Sequence, residues 1–253
     1  MEIDISVVIS AHREGRLAHP TLRSVFRSAA FANESGVRSE VIVVLDRADS
    51  ETRAYFETCG HPCLKLYQVD LGDPGMARNH GVEKASGKYV AFSDADDLFG
   101  KGWLGAAFQY AESRGEFCVY YPEYVICFER ENLIVRCKDT DDETLNISTM
   151  IEFNCWNSVH FLAPKTLLAE NPFRPTPLDS GFGYEDWHWY CELIADGIPI
   201  RIVPESCVFY RKKLNGSRLS AHNQHQVVIQ PSKLFDPEIF SSLIREKNYR
   251  NVK

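Results

Sequence analysis

The 253-residue chain predicts an α/β fold, with a mostly parallel central sheet, helices on both faces and a more mixed second lobe. Three observations carry this. Short β-branched runs alternate with stretches of helical period through the first half of the chain. Polar or glycine-containing turns bound each run. The fourth run leads straight into the carboxylates Asp94, Asp96 and Asp97, at the point where a parallel sheet opens onto its ligand crevice.

The elements follow in order. Ile5-Ser-Val-Val-Ile9 is the first strand. From about Pro20 to Ala32, Leu22, Val25, Phe26 and Ala29 recur at the i, i+3, i+4, i+7 spacing of one helix face. Glu40 to Leu45 is the second strand, Ser50 to Glu57 a helix, and Leu64 to Val69 the third strand. A helix from about Gly75 to Ala85 precedes the strand that ends at Phe92. Right-handed crossovers make such a βαβαβαβ order parallel and place the crevice beyond the strands' C-terminal ends. Ser10 to Glu14, Asp46 to Asp49, Val69 to Gly72 and Ser93 to Asp97 are therefore expected to share one rim.

The second half mixes a helix near Trp103 to Ser113 with strands at Phe117 to Phe128 and Leu133 to Arg136. The acidic loop Asp139-Thr-Asp-Asp-Glu143 reads as a solvated surface feature, with calcium left open. Trp187, Tyr190, Cys191 and Ile194 have helical spacing behind Glu185 and Asp186, which puts both carboxylates at a helix N-terminus. One domain is expected over 1–233, in halves of about 1–100 and 101–233. Residues 234–253 read as an extension, either docking helix or linker.

Composition narrows the classes. With 28 Lys and Arg against 35 Asp and Glu, the net charge of -7 argues against nucleic acid as a partner. No run approaches the roughly 18 apolar residues of a membrane span, and Met-Glu-Ile-Asp-Ile is no signal peptide, so a cytoplasmic protein is expected. The eight cysteines are scattered singly and read as reduced core thiols. Cys59-Gly-His-Pro-Cys63 could be drawn as part of a zinc site but lacks a second pair of ligands.

Carboxylates at a strand end need a partner, because they are rarely buried alone. A hard divalent cation carrying phosphates supplies one, since Mg²⁺ uses one or two carboxylates together with substrate oxygens and water.

These features together resemble the family 2 glycosyltransferases and their glycosyltransferase-A fold, a Rossmann-like arrangement with an acceptor-side lobe. The resemblance runs from about Ile5 to Ser220. It rests on Val7-Val-Ile-Ser-Ala-His-Arg-Glu14, Val43-Val-Leu-Asp46, Gly75-Met-Ala-Arg-Asn-His-Gly81, Asp94-Ala-Asp-Asp97 and Gly183-Tyr-Glu-Asp186, in that order.

The resemblance implies a metal-dependent inverting enzyme that moves sugar from a nucleotide-sugar, a UDP-sugar, to a glycan or lipid-linked glycan in surface polysaccharide biosynthesis. It implies that Asp94 binds ribose hydroxyls and that Asp96 binds Mn²⁺ or Mg²⁺ on the diphosphate, while Asp97 caps the next helix or joins the cluster. Asp46 would pair with the uracil imide, although Leu45-Asp-Arg-Ala48 departs from the family's Asp-Asp-Gly-Ser. Ser10, His12 and Glu14 would line the nucleotide, Arg78 would reach the diphosphate or base rim, and Asn79 and Gly81 would serve packing. Asp186 would be the general base and Glu185 its helper.

The stretch Tyr210 to Ser220 resembles the family's diphosphate-closing loop but contains no histidine, so His222, or less favourably His225, would complete the metal site. Lys212, Lys213 and Arg218 either neutralise the diphosphate or form a solvated basic stretch. Trp156, Asn157, His160, Trp187 and His188 fall in the acceptor region, with Trp187 or Trp189, not both, facing the acceptor. Association with the membrane's inner face and further domains of a longer chain stay open. The rivals are a sugar-phosphate nucleotidyltransferase and a carbohydrate-binding domain without turnover; Ser10-Ala-His-Arg-Glu-Gly15 lacks the glycines of a phosphate loop or a dinucleotide fingerprint.

Overall fold

The computed structural model describes residues 2–156, 158–176, 178–213 and 224–250. Its first four strands are β1 (Ile5–Ala11), β2 (Ser39–Asp46), β3 (Leu64–Val69) and β4 (Tyr89–Asp94), joined by α1 (Ala18–Asn33), α2 (Ser50–Thr58) and α3 (Pro74–Lys84). All neighbouring pairs in β3-β2-β1-β4 are parallel. Helix starts are set locally: the Asp49 side chain accepts the Thr52 N–H, and Asp73 accepts that of Met76 ahead of Pro74.

Burial explains why the strands read as continuous apolar runs rather than alternating ones. Val7, Val8 and Ile9, Ile42 to Val44, and Val90 to Phe92 are all buried, as a sheet covered on both faces requires. Gly81 of α3 lies so close to β1 that a Cβ there would collide with Val8, which bears out the packing role of this glycine.

Beyond β4 come the two-residue β5 (Leu98–Phe99), α4 (Trp103–Arg114), β6 (Val119–Glu129) and β7 (Leu133–Arg136), then β8 (Leu162–Pro164), α5 (Lys165–Glu170), β9 (Phe182–Gly183), α6 (Glu185–Ala195), β10 (Ile200–Lys212), β11 (Val228–Ile229) and α7 (Pro237–Arg250). Among the described residues the sheet continues β4-β8-β6-β10-β5, with β7 on the edge of β6. Strand β8 is antiparallel to both β4 and β6, and so joins the parallel half to the mixed half. Three residues carry no readable period, and the sequence did not disclose this strand.

The acidic loop is not simply solvated. Arg201 of β10 stands among Glu116, Asp139 and Asp141, 2.7 Å from Glu116 and 2.8 Å from Asp139. The loop is thereby tied to the sheet. All eight cysteines are free thiols, and His61 stacks on Phe26 with ring centroids 3.7 Å apart. Leu234 is fully buried, and Phe240, Leu243 and Ile244 of α7 pack on the core. Among the described residues no helix is long and apolar enough to cross a membrane.

Candidate active site

The C-terminal ends of β1 to β4 do form one rim, and hydrogen bonds stitch it together. His12 Nδ1 lies 2.7 Å from the Asp46 carbonyl, and Glu14 Oε2 accepts the His12 N–H at 2.6 Å. Asp46 has a duty that its motif did not reveal: Oδ1 accepts the N–H groups of Leu71 and Gly72, and Oδ2 that of Asp73. A carboxylate offers about four acceptor sites, so among the described residues one position on Oδ2 has no donor. Asp73 in turn accepts the N–H and hydroxyl of Thr176, anchoring the segment ahead of α6.

At the centre of the rim lies Arg78, buried, on α3. Its Nη2 donates to Asp94 Oδ1 at 2.8 Å and its Nη1 to Glu185 Oε1 at 2.9 Å. One guanidinium therefore joins the carboxylate at the end of β4 to the helix that carries Asp186. The sequence reading sent Arg78 to the diphosphate or base rim; its described partners are instead these two acids. Ser10 adds a hydroxyl to Asp94 Oδ1 at 2.9 Å. Burial works against the charge of Asp94, but Arg78 outweighs it and holds the carboxyl below its ordinary range.

Tyr184, ahead of α6, takes φ +57° and ψ +51°, a left-handed conformation that costs a non-glycine residue roughly 1–3 kcal/mol. Beyond this turn Glu185 is buried against Arg78, whereas Asp186 keeps partial exposure. A position at a helix N-terminus favours the ionised form of Asp186. Burial and the neighbouring Glu185 instead push its carboxyl up to about 7, overriding Arg78 and the Trp187 N–H that donates to Oδ1 at 2.8 Å. Such a value suits proton exchange near neutrality.

Asp96 and Asp97 have different surroundings. Asp96 Oδ2 lies 2.6 Å from the ammonium of Lys213, just past β10, and Glu14 stands 4.0 Å from the same ammonium. Among the described residues no three acids, histidines or cysteines cluster as a metal site. The described residues fit a divalent cation as a single-carboxylate site at Asp96, with substrate oxygens and water completing it and Lys213 as the competing cation. His222 lies outside the described residues.

Asp97 is no helix cap, for α4 begins after Gly102. It is buried, and its Oδ1 accepts the Arg211 N–H at 2.6 Å, pinning the end of β10 and hence Lys213. Its Oδ2 stands 3.3 Å from His160 Nε2 without hydrogen-bond alignment. Burial raises the Asp97 carboxyl well above its ordinary range and lowers His160 to about 4, so both groups are shifted toward their neutral forms. Asp97→Asn is therefore expected to melt close to the parent chain. Asp97→Ala, which orphans the Arg211 N–H, should lose about 1–3 kcal/mol in a denaturant titration.

The aromatic expectations separate cleanly. Trp156 and His160 are 0% exposed and His188 is 2% exposed, so none of them is an acceptor platform. Trp189 is buried between Phe161 and Phe173. Trp187 alone of the three tryptophans considered is partly exposed, with Nε1 on the Met150 carbonyl at 2.9 Å. Asn157 lies outside the described residues.

A curled, mostly parallel sheet with paired acid centres at its C-terminal rim is the architecture of the glycosyltransferase-A fold. S. aureus TarS, residues 1–349, solved in complex with UDP-GlcNAc, superposes with a TM-score of 0.65 at 19% identity, covering 86% of this chain and 61% of that one. The sequence model described as glycosyl transferase family 2 matches residues 6–166. The chain belongs to that family. It is 31% identical over 113 residues to the succinoglycan biosynthesis protein ExoO of Rhizobium meliloti (strain 1021), which covers 44% of this chain and 31% of ExoO. It is also 30% identical over 96 residues to an uncharacterized glycosyltransferase of Rickettsia bellii (strain RML369-C), covering 38% of this chain and 13% of the relative. The chain thus spans less than a third of the length of either relative.

Proposed function

We propose that this chain carries a metal-dependent, inverting glycosyl transfer from a nucleotide-sugar, a UDP-sugar, to a glycan acceptor in surface polysaccharide synthesis. The Asp94–Arg78–Glu185 bridge carries the reading, because it holds a nucleoside-binding acid and the helix of a base in one rigid frame. The open acceptor position on Asp46 Oδ2 supports a base with an imide N–H. The likeness to ExoO supports the polysaccharide role.

In this reading the acceptor hydroxyl gives its proton to the Asp186 carboxylate as its oxygen attacks the anomeric carbon, on the face opposite the diphosphate. The bond from that carbon to the diphosphate breaks, and the electron pair leaves with the phosphate oxygen. Asp94 and Ser10 orient the ribose, and Glu14 and His12 wall the nucleotide. Held by Asp96, a divalent cation would act as a Lewis acid on the diphosphate. Lys213 supplies the chain's own positive charge beside it. Trp187 offers a ring face to the apolar C–H side of the acceptor sugar.

The test is a titration of UDP-glucose, UDP-galactose and UDP-GlcNAc, with other nucleotide-sugars as controls, with and without Mn²⁺, following binding and slow hydrolysis. At least one UDP-sugar is expected to bind with Mn²⁺ and to lose most of its affinity with the Asp96→Ala chain. Binding indifferent to both metal and substitution, or no binding at all, overturns the proposal. Binding without any hydrolysis or transfer would leave a carbohydrate-recognition domain.

A further inference from the structure

We infer that Asn154 is a positioning residue for the Asp186 carboxylate, an inference that rests on the reading of Asp186 as the base. Asn154 Nδ2 donates to Asp186 Oδ2 at 3.2 Å, while its own Oδ1 accepts the Trp156 N–H at 3.0 Å. Two partners of opposite character settle which way the amide faces: reversed, it would set its oxygen against the carboxylate and its NH₂ against an N–H.

The support behind Asn154 is rigid. Trp156 is fully buried, its Nε1 donates to the Lys138 carbonyl at 3.2 Å, and its ring packs on Tyr190 with centroids 5.6 Å apart. Asn154 is itself 9% exposed. The Trp187 N–H on Oδ1 and the Asn154 amide on Oδ2 grip the carboxylate from both sides. They fix its rotation about the Cβ–Cγ bond, leaving the remaining lone pairs to meet the acceptor hydroxyl. Nothing in the Glu-Asp motif reveals this partner, because it lies 32 residues upstream on an irregular segment.

Among the described residues, the charged and titratable groups that interact electrostatically with Asp186 include Glu185, Arg78, Asp94, Cys191, Tyr121, Tyr190 and Tyr210. Asn154 is a neutral donor among them. A donor to the ionised form favours that form, so its loss must raise the pKa of Asp186.

The experiment follows Asp186 by ¹³C NMR of side-chain-labelled aspartate in the full chain, assigning its titration by its disappearance in Asp186→Asn. In Asn154→Ala the titration is expected to move up by about one unit. Mn²⁺-supported hydrolysis of the UDP-sugar that the parent chain cleaves should fall roughly ten-fold to a hundred-fold, with its KM unchanged. Asn154→Asp keeps the acceptor for Trp156 but replaces the donor with a charge, so it should move the titration further and hydrolyse no faster. A purely structural asparagine predicts instead that Asn154→Ala lowers Tm while leaving the Asp186 titration where the parent has it. An unmoved titration in both variants overturns the inference. Full hydrolysis by Asp186→Asn, by contrast, would overturn the reading of the base and not the contact measured by NMR.

Discussion

Asp186→Asn should keep nucleotide-sugar binding and lose about 10²–10⁴-fold in transfer, the contribution of a placed general base. The amide has the shape of the carboxylate and can still accept the Trp187 N–H, so the frame survives. It cannot take a proton. On the same reading the parent chain is expected to show a matching pH signature. With the Asp186 carboxyl pushed up to about 7, the base is ionised only above that value, and kcat/KM should rise with pH through about 7 and then level off.

The stability sign runs the other way. A carboxyl raised above its unfolded value of about 4 contributes full stability below that value, and the contribution is lost as pH rises through the folded value near 7. Asp186→Asn should therefore melt no lower than the parent at pH 8. A dead enzyme with an undiminished Tm identifies a chemical role; equal loss of donor binding, transfer and Tm would identify a structural one.

Arg78→Ala should produce the largest loss of stability, about 3 kcal/mol, because it leaves Glu185 buried and Asp94 part-buried without their shared cation. For a chain of this size, that lowers Tm by roughly 10 °C. Nucleotide-sugar affinity should fall as well, since Asp94 owes its depressed pKa to Arg78 and would hold a proton more readily without it. Arg78→Lys keeps the charge but not the two-armed reach, and should recover only part of the loss. A double-mutant cycle with Glu185→Gln checks the geometry: coupling of at least about 1 kcal/mol is expected, and additivity would mean that the bridge does not form in solution.

How much of this was legible follows from where each signal is written. The parallel half could be read because β1, β2 and β4 are buried on both faces and so appear as continuous apolar runs, while the edge strand β3 is only partly buried and keeps its apolar residues Leu64, Leu66 and Val69 at alternating or near-alternating positions. The strand β8 was not, since three residues have no period, and its pairing with β4 and β6 depends on chain far away. The acid clusters stood out at strand and helix ends. Their partners did not: Lys213 was legible as a basic residue but not as the neighbour of Asp96, and Asp73 under Thr176 and Asn154 against Asp186 are ordinary polar residues until folding brings them together.

The aromatic residues show the limit most plainly. Trp156, Trp187 and Trp189 look alike as letters in a row, yet of the three only Trp187 reaches the surface, because which side of a helix or loop faces the core is set by packing partners distant in sequence: Trp189 stacks on Phe173, and Phe173 packs in turn on Phe92 of β4. By itself, the sequence determined the family, the parallel sheet and the identity of the acids at its rim, all of which are local patterns or ordered motifs. Only the tertiary structure decided what those acids are set against. A carboxylate's charge, reach and proton affinity depend on the cation, amide or apolar wall set against it, and Arg78 meets Asp94 and Glu185, 107 residues apart from the latter, only once the chain has folded.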